Sequence, residues 1–345
     1  MNREAINTAQ LKTVKANQFS DPDLIATPIF ILGIMQRSGT NFLQDLLCLH
    51  PDCVPGEVIY EDFVAAHADL LVQYANSVYG NYPSQWEIEK IMGPPDGLLC
   101  QYLGNALISF LNLQLARQKR PSESHNSYPL QGAFPHRLVT KTPSVKNLHY
   151  FFKIFPQAHL LIIVRDGRAV IESGVKSFDW SYDAAMHAWA DAARTILQFD
   201  QDVRNANHRY LVVRYKDILT NTKAELIKIL SFLGLDVENY DFDAVNRLPI
   251  KGSSDTRNQI KKQVHWTPMD KTQEFDPMKR WGHWRRAQHE RFNWIAGEYL
   301  VRLGYTKQTY PENQKMWDLW NVVLDIKWKV TSRLKRFSQV LNCLR

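Results

Sequence analysis

The sequence predicts a three-layer α/β domain built on a central parallel sheet. Short apolar runs of strand length alternate with longer stretches whose apolar residues recur at helical spacing, a pattern typical of parallel sheets with right-handed crossovers. The run over residues 159–164 is apolar almost throughout, as in a strand covered on both faces. The 345 residues are compatible with one elaborated domain or with two.

The predicted elements follow one another in regular order. The first strand, residues 28–33, is a short apolar run closed by Gly33, and the helix after it, residues 40–49, stops at His50-Pro51. Residues 57–118 are predicted to be mostly helical. Later strands are predicted at 137–141, 159–164 and 210–214, and later helices after Arg168, over 183–206 and over 221–233. The predicted loops are residues 120–136, which contain Pro, Ser and Gly, and residues 236–285, an aperiodic stretch that is a lid candidate.

Composition narrows the class of protein. With 22% charged and 45% hydrophobic residues, the chain has the make-up of a soluble globular protein. No run approaches the ~20 apolar residues of a membrane-spanning helix, and the N-terminal segment, residues 1–27, lacks the apolar core of a secretory signal. The four cysteines have no metal-binding or C-x-x-C spacing, so we interpret them as free thiols in a reducing compartment. These observations predict a cytoplasmic protein.

The net charge of +7 is concentrated at the C-terminus. Residues 313–345 hold seven Lys/Arg and two Asp, and so supply +5 of it. The rest of the chain is nearly neutral, which excludes a protein whose main domain is basic and binds nucleic acid. Residues 312–345 are predicted to form a basic amphipathic helix, whose apolar residues at three- and four-residue steps are Trp317, Trp320, Leu324 and Trp328. Such a helix either lies on an anionic membrane or packs on its own domain or across a homodimer, and we favour packing.

Residues 33–41, Gly-Ile-Met-Gln-Arg-Ser-Gly-Thr-Asn, form a predicted turn between the first strand and the first helix. Such a turn presents backbone N–H groups and the positive end of the helix dipole to a phosphate. It is not a Walker A loop: Ser38 stands where the second Gly would be, and no Lys precedes Thr40. The fixed cation is Arg37 instead, which fits nucleoside triphosphate hydrolysis poorly. The alternative is a helix cap with an exposed Arg.

A second group of polar residues follows the strand over 159–164. Arg165 stands at its carboxyl end, where ligands bind in open α/β sheets, and Ser173 lies two helical turns further on. An Arg and a Ser suit a second, separate phosphate. The alternative is a structural ion pair of Arg165 with Asp166 or Glu172.

Taken together, these motifs resemble those of the sulfotransferase family that uses 3′-phosphoadenosine 5′-phosphosulfate (PAPS), a family with a P-loop nucleotide-kinase-like fold. The resemblance is nearest to the branch with tyrosylprotein and bacterial sulfotransferases, and it implies a sulfotransferase domain over residues 28–311. Its other motifs here are His50-Pro51-Asp52, Gly56-Glu57, Val139-Thr140-Lys141-Thr142-Pro143, Val213-Arg214-Tyr215-Lys216-Asp217, Ser253-Ser254-Asp255 and Arg280-Trp281-Gly282-His283.

The resemblance implies a role for each matching residue. The 5′-phosphosulfate would be held by the turn residues Arg37, Ser38, Gly39, Thr40 and Asn41. The 3′-phosphate would be held by Arg165 and Ser173, with Tyr215 near the adenosine. The residues that would close over the donor are Ser253, Ser254 and Arg280. No metal is expected, since protein cations replace it at the transferring group.

The predicted catalytic residues are Arg37, Lys141 and Glu57. Arg37 and Lys141, from neighbouring strand ends, would stabilise the charge that grows on the oxygen bridging sulfur and phosphorus. Glu57 is the candidate base, because the first helix leads to it and Val58 stands where the tyrosylprotein branch has its base. The alternative for Glu57 is an acid favoured by a helix dipole. Rival bases are His136 and His149.

The leading hypothesis is sulfuryl transfer from PAPS to a hydroxyl of a small-molecule acceptor, with a nitrogen less favoured. Lumenal members of the family carry a membrane anchor and disulfides, for which this sequence offers no evidence. We therefore expect a cytoplasmic enzyme that does not act on tyrosines of secreted proteins. The alternatives are a P-loop-like kinase of a small molecule and a catalytically inactive nucleotide-binding protein.

Overall fold

The computed structural model describes residues 27–56, 58–119, 136–204, 206, 208–249 and 276–343. Its centre is a five-stranded sheet in which every neighbouring pair of strands is parallel, in the order β2-β3-β1-β4-β5. The strands are β1 (Ile29–Gly33), β2 (Cys53–Pro55), β3 (Arg137–Thr142), β4 (His159–Val164) and β5 (Tyr210–Arg214). The predicted parallel sheet is confirmed.

Eleven α-helices surround this sheet within the described part of the chain. Up to the end of β4 they are α1 (Thr40–Leu47), α2 (Ala68–Tyr79), α3 (Ile88–Met92), α4 (Leu98–Lys119) and α5 (Phe151–Ile154). Beyond β4 they are α6 (Gly167–Phe178), α7 (Tyr182–Val203), α8 (Tyr215–Thr220), α9 (Thr222–Leu233), α10 (Arg286–Arg302) and α11 (Gln314–Cys343). The predicted C-terminal helix is α11.

Alternate residues of the central strands enter two separate apolar cores. On β1, Phe30 and Leu32 face one core, while Ile29 and Ile31 face the other. The first core is closed by α2, α4–α7 and α10, and the second by α1, α8 and α9. Because both faces of the sheet are covered, its strands are apolar at consecutive positions. The predicted three-layer architecture is confirmed.

Two short elements escape the sequence patterns. Strand β2 has only three residues and ends at Pro55, so it offers no alternation to recognise, although it forms one edge of the sheet. Helix α8 follows β5 without a loop, in residues that the sequence analysis left unassigned. Of the two predicted loops, residues 120–135 and 250–275 lie outside the described residues.

Helix α4 corrects the expectation that no segment is apolar enough to cross a membrane. By length and composition alone, its 18-residue stretch Leu98–Leu115 qualifies. Cys100 and Leu111 are nevertheless fully buried in the first core. Gly104 lies so close to the carbonyl of Ile154 that a Cβ there would overlap it. One side of this helix therefore packs into the first core.

Candidate active site

The carboxyl ends of the parallel strands gather the predicted site residues at one edge of the sheet. Gly33 at the end of β1 pairs with Ile163 of β4, two residues before Arg165. Lys141 near the end of β3 pairs with Ile31 of β1. Ligands of open α/β sheets bind at this edge. Residues 128 positions apart, Arg37 and Arg165, are thereby brought into hydrogen-bonding contact.

The turn between β1 and α1 has the backbone of an anion-binding nest. Arg37 has φ 73° and Gly39 has φ 101°, so two residues of the turn are left-handed. Ser38 between them is fully buried, and its hydroxyl has no hydrogen-bond partner among the described residues. A buried hydroxyl without a partner is costly, and a phosphate oxygen in the turn would satisfy it. The turn therefore fits the phosphate that the sequence assigns to it.

Gly39 is required for two reasons at once. Besides its left-handed φ, a Cβ at this position would lie 2.5 Å from the ring of Tyr215. We expect Gly39→Ala to lower the free energy of unfolding by about 1–3 kcal/mol, measured by urea denaturation, because the strain of a left-handed Ala adds to the overlap. Gly234→Ala is the matched control: its φ is 68°, and a Cβ there meets nothing within 4 Å. Equal losses in the two variants would contradict the close approach of Tyr215.

Ser173 is the point at which two arginines meet. The Nε of Arg37 donates a hydrogen bond to the Ser173 Oγ at 2.9 Å, and the Nη1 of Arg280 approaches the same oxygen at 3.5 Å. Ser173 itself lies on α6 and is 1% exposed. The sequence assigned Arg37 and Ser173 to different phosphates. In this structure the residues assigned to the two phosphates are in contact, because the Arg37 side chain reaches Ser173.

Arg165 does not form the ion pair that was its structural alternative. Its Nη1 donates to the Arg37 carbonyl oxygen at 2.8 Å, and its guanidinium lies 4.6 Å from the ring centre of Tyr215. Among the described residues no carboxylate lies within ion-pair distance of it, since Asp166 is bound to Arg168 at 2.6 Å. Burial lowers the pKa of the Arg165 guanidinium, and the nearby Arg280 contributes to the lowering. A bound anion would offset this desolvation.

Glu172 fixes the segment that carries Arg280. This carboxylate is 2% exposed and accepts hydrogen bonds from the Tyr182 hydroxyl at 2.7 Å and from the Trp284 indole at 2.8 Å. His283 is within 3.1 Å of it as well. The residues after Arg280 are therefore bound to the helix that carries Ser173, which explains how distant parts of the chain share one site.

Lys141 is held at the end of β3 by the chain that follows β2. It is 4% exposed, and its Nζ donates to the Tyr60 carbonyl oxygen. The Asp62 amide in turn donates to the Lys141 carbonyl oxygen at 3.0 Å, and the Asp62 carboxylate accepts from the hydroxyls of Thr140 and Thr142. This latch of Asp62 on β3 fixes the position of the residues beside the lysine.

Glu61 is an acidic group that the sequence analysis did not single out. It lies between Tyr60 and Asp62, both of which are bonded to Lys141. Burial raises the pKa of the Glu61 carboxyl, and Lys141 opposes that rise. No local motif marks this residue, because its place beside Lys141 comes from the pairing of two distant segments. It is a second candidate for the proton acceptor.

Three predicted site residues, Glu57, Ser253 and Ser254, lie outside the described residues, and their roles stay predictions. Tyr215 begins α8 directly after β5, and its ring lies against Gly39 of the phosphate turn; its predicted place near the adenosine stays a prediction. Within the described ranges no group of three or more His, Cys, Asp or Glu side chains is placed to hold a metal ion.

A family model now decides the class of this fold and site. The model of the sulfotransferase family matches residues 28–239, more than half of the chain. The chain belongs to the sulfotransferase family. This confirms the resemblance drawn from the motifs, and PAPS is the sulfuryl donor of this family.

Curated relatives that resemble the chain are sulfotransferases whose names specify protein tyrosines. A protein-tyrosine sulfotransferase of Drosophila melanogaster is 24% identical over 71% of this chain and 46% of its own length. Protein-tyrosine sulfotransferase 1 of Danio rerio is 24% identical over 83% of this chain and 74% of its own length. The chain thus spans only about half of the first of these relatives. Among solved structures, the sulfotransferase domain from the curacin biosynthetic pathway is 15% identical, with a TM-score of 0.45, and covers 82% of this chain and 99% of its own.

Proposed function

We propose that this sulfotransferase transfers the sulfuryl group of PAPS to a hydroxyl of a small-molecule acceptor in the cytoplasm. The observation that carries the donor assignment is the meeting of Arg37 and Arg280 at the Ser173 hydroxyl, next to Arg165, which has no carboxylate partner among the described residues. A buried guanidinium such as that of Arg165, with no carboxylate in ion-pair distance among the described residues, is stabilised by an anion. A nucleotide with a phosphate on both the 3′ and the 5′ oxygen supplies two.

The residues at the sheet edge divide the work between the two ends of such a donor. The turn around Ser38 would bind the 5′ group through backbone N–H groups and the buried hydroxyl. Arg165 and Ser173 would bind the 3′-phosphate. When bound, PAPS supplies an activated sulfuryl group whose S–O bond to phosphate breaks as the acceptor oxygen bonds to sulfur. Arg37 and Lys141 would stabilise the negative charge on the departing phosphate oxygen, and a carboxylate would accept the proton of the hydroxyl.

The donor assignment predicts a strong preference for a 3′-phosphate. Adenosine 3′,5′-bisphosphate should bind roughly 10- to 100-fold more tightly than ADP, since ADP leaves the charge-assisted contacts of Arg165 unmade. We expect Arg165→Met to abolish most of this preference, with the affinity for ADP nearly unchanged, as measured by calorimetry. Arg194→Met removes an exposed arginine of α7 and should leave both affinities as they are. Equal affinity of the unaltered protein for the two nucleotides, or a need for Mg²⁺, would favour the kinase alternative.

The acceptor class requires a separate test. The thiols of Cys53 and Cys100 are not in disulfides, which supports a reducing compartment, and with it an acceptor other than a secreted protein. We expect radiolabelled PAPS to pass its label to compounds in a panel of phenols and alcohols. Amines in the same panel test nitrogen as the acceptor. Transfer only to tyrosine-containing peptides would overturn the small-molecule assignment. The acceptor would then be a protein tyrosine, as in the names of the curated relatives.

A further inference from the structure

Helix α11 is attached to the domain by polar contacts. Asn321 is 2% exposed, and its carbonyl oxygen accepts from the Arg291 guanidinium. Asp325, four residues on, accepts from Arg291 at 2.8 Å, and Trp328 stacks on His187 with ring centres 4.7 Å apart. Positions spaced by four and three residues lie on one side of a helix. That side, defined by Asn321, Asp325 and Trp328, faces α10 and α7.

The opposite side of α11 is apolar and exposed to solvent. Eight large apolar side chains along it are each between 43 and 68% exposed: Met316, Leu319, Trp320, Val322, Val323, Ile326, Val330 and Leu334. Most helices at a protein surface turn their apolar stripe towards the core, and this one reverses the arrangement. Contiguous apolar surface of this extent marks an interaction site more often than it marks free surface. We call this side, from Met316 to Leu334, the outer face.

The charges around the outer face are almost all positive. Exposed basic side chains along it are Lys315, Lys327, Lys329 and Arg333. The helix has two acidic residues in its described range, and one of them, Asp325, is bonded to Arg291 and Trp294 on the inner side. Hydrogen bonds from Trp294 and Arg291 lower the pKa of Asp325 despite its partial burial, so it remains ionised there. The outer face therefore combines apolar side chains with an uncompensated positive charge.

The positive charge beside the apolar side chains disfavours a second copy of the chain as the partner of the outer face. Two outer faces brought together would place one set of basic side chains against another, and like charges so placed destabilise helix pairs. An anionic lipid surface neutralises the same charges, and each basic residue near it strengthens binding about fivefold. Long basic side chains can keep their charges at the headgroups while their stems lie along the apolar phase.

We propose that the outer face of α11 binds the surface of an anionic lipid bilayer, with the helix lying in the plane of the interface. A 30-residue helix is about 45 Å long, and its exposed apolar ridge with basic side chains beside it has the pattern of a helix that lies in a membrane interface. Trp320 at the edge of the ridge has the amphipathic ring that is enriched at such interfaces. The domain is attached to the other side of the helix, so binding requires no rearrangement of its core. The proposal is independent of the donor and acceptor assignments above.

Co-sedimentation of the full chain with vesicles tests this binding. We expect it to pellet with phosphatidylcholine vesicles that contain phosphatidylserine, to stay in solution with phosphatidylcholine alone, and to be released by high salt. The charge variant Lys327→Gln/Lys329→Gln/Arg333→Gln should bind roughly 100-fold less, since three fivefold contributions are lost. The apolar variant Leu319→Ser/Ile326→Ser/Val330→Ser should not pellet. Both should keep the unfolding temperature of the unaltered chain, because the altered side chains are exposed.

Ile91→Ser is the matched control, because Ile91 is 74% exposed on α3 and should not affect pelleting. Failure of the unaltered chain to pellet with the anionic vesicles would overturn the proposal, as would equal pelleting of the charge variant. A lipid-free dimer in sedimentation velocity that the apolar variant converts to monomer would assign the outer face to a second copy. Stoichiometric binding of an acidic protein helix that competes with the vesicles would assign it to a protein partner.

Discussion

Replacing Lys141 by alanine should lower kcat by at least about 100-fold, the range found when one charge-stabilising donor is removed from a transition state. The physical reason is the position of this ammonium group at the carboxyl end of β3, beside β1 and its phosphate turn. It is 4% exposed and is held by the Tyr60 carbonyl oxygen, so little reorganisation is needed when negative charge grows nearby. Affinity for adenosine 3′,5′-bisphosphate should change much less, because the ground state lacks that charge. Steady-state kinetics and calorimetry measure the two quantities.

Lys146→Ala is the matched control for this experiment. Lys146 is exposed in the turn after β3, five residues from Lys141, and its loss should leave kcat unchanged. If the role of Lys141 were merely structural, the substitution would lower the unfolding temperature, kcat and the affinity for adenosine 3′,5′-bisphosphate together. Full activity of Lys141→Ala would require a different account of how charge is stabilised at the bridging oxygen.

The fold was predictable where burial on both faces left a mark in the sequence. Strands β1 and β4 are apolar at nearly every position because alternate residues enter two cores. Strand β2 could not be found in the same way. Its pairing with β3 depends on the chain returning after α1, and three residues ending in Pro carry no periodicity of their own.

The candidate site was predictable where its residues lie close together in the sequence, within one motif. Arg165 and Ser173 are eight residues apart and share one motif, so the sequence placed them together. The contact of Arg37 with Ser173 joins residues 136 positions apart and depends on the register between β1 and β4. Asp166 caps α6 and binds Arg168, so it does not pair with Arg165. The spacing of residues in the sequence does not indicate whether Asp166 binds Arg165 or Arg168.

Glu61 shows a second limit of local motifs. The sequence pointed to Glu57 because it follows the first helix in a family motif, whereas Glu61 acquires its place only through the Asp62 latch on β3. Thr140 and Thr142 hold that latch from alternate positions of the strand, on either side of Lys141. The acid and the lysine are thus positioned by one hydrogen-bonded unit, which no stretch of sequence contains.

Glu57→Gln should lower kcat by about 100-fold or more, within the usual range for a positioned base. The acceptor hydroxyl is a poor nucleophile until its proton is removed, and an amide cannot accept that proton. Glu61→Gln makes the same chemical change four residues away, so it is the matched control and should retain most of kcat. Both variants should bind adenosine 3′,5′-bisphosphate normally, which separates loss of the base from loss of the site.

The opposite result would move the base to Glu61, and the pH profile would identify it independently. A general base works only when deprotonated, so kcat/KM rises as pH increases through its pKa and levels off above it. Because burial raises the pKa of Glu61 above its usual 4.5, a rising limb due to this residue would lie above the range of an ordinary glutamate. That limb would vanish in Glu61→Gln and persist in Glu57→Gln. If both glutamine variants are fully active and His136→Ala or His149→Ala is inactive, the base is a histidine and the assignment of both carboxylates is wrong.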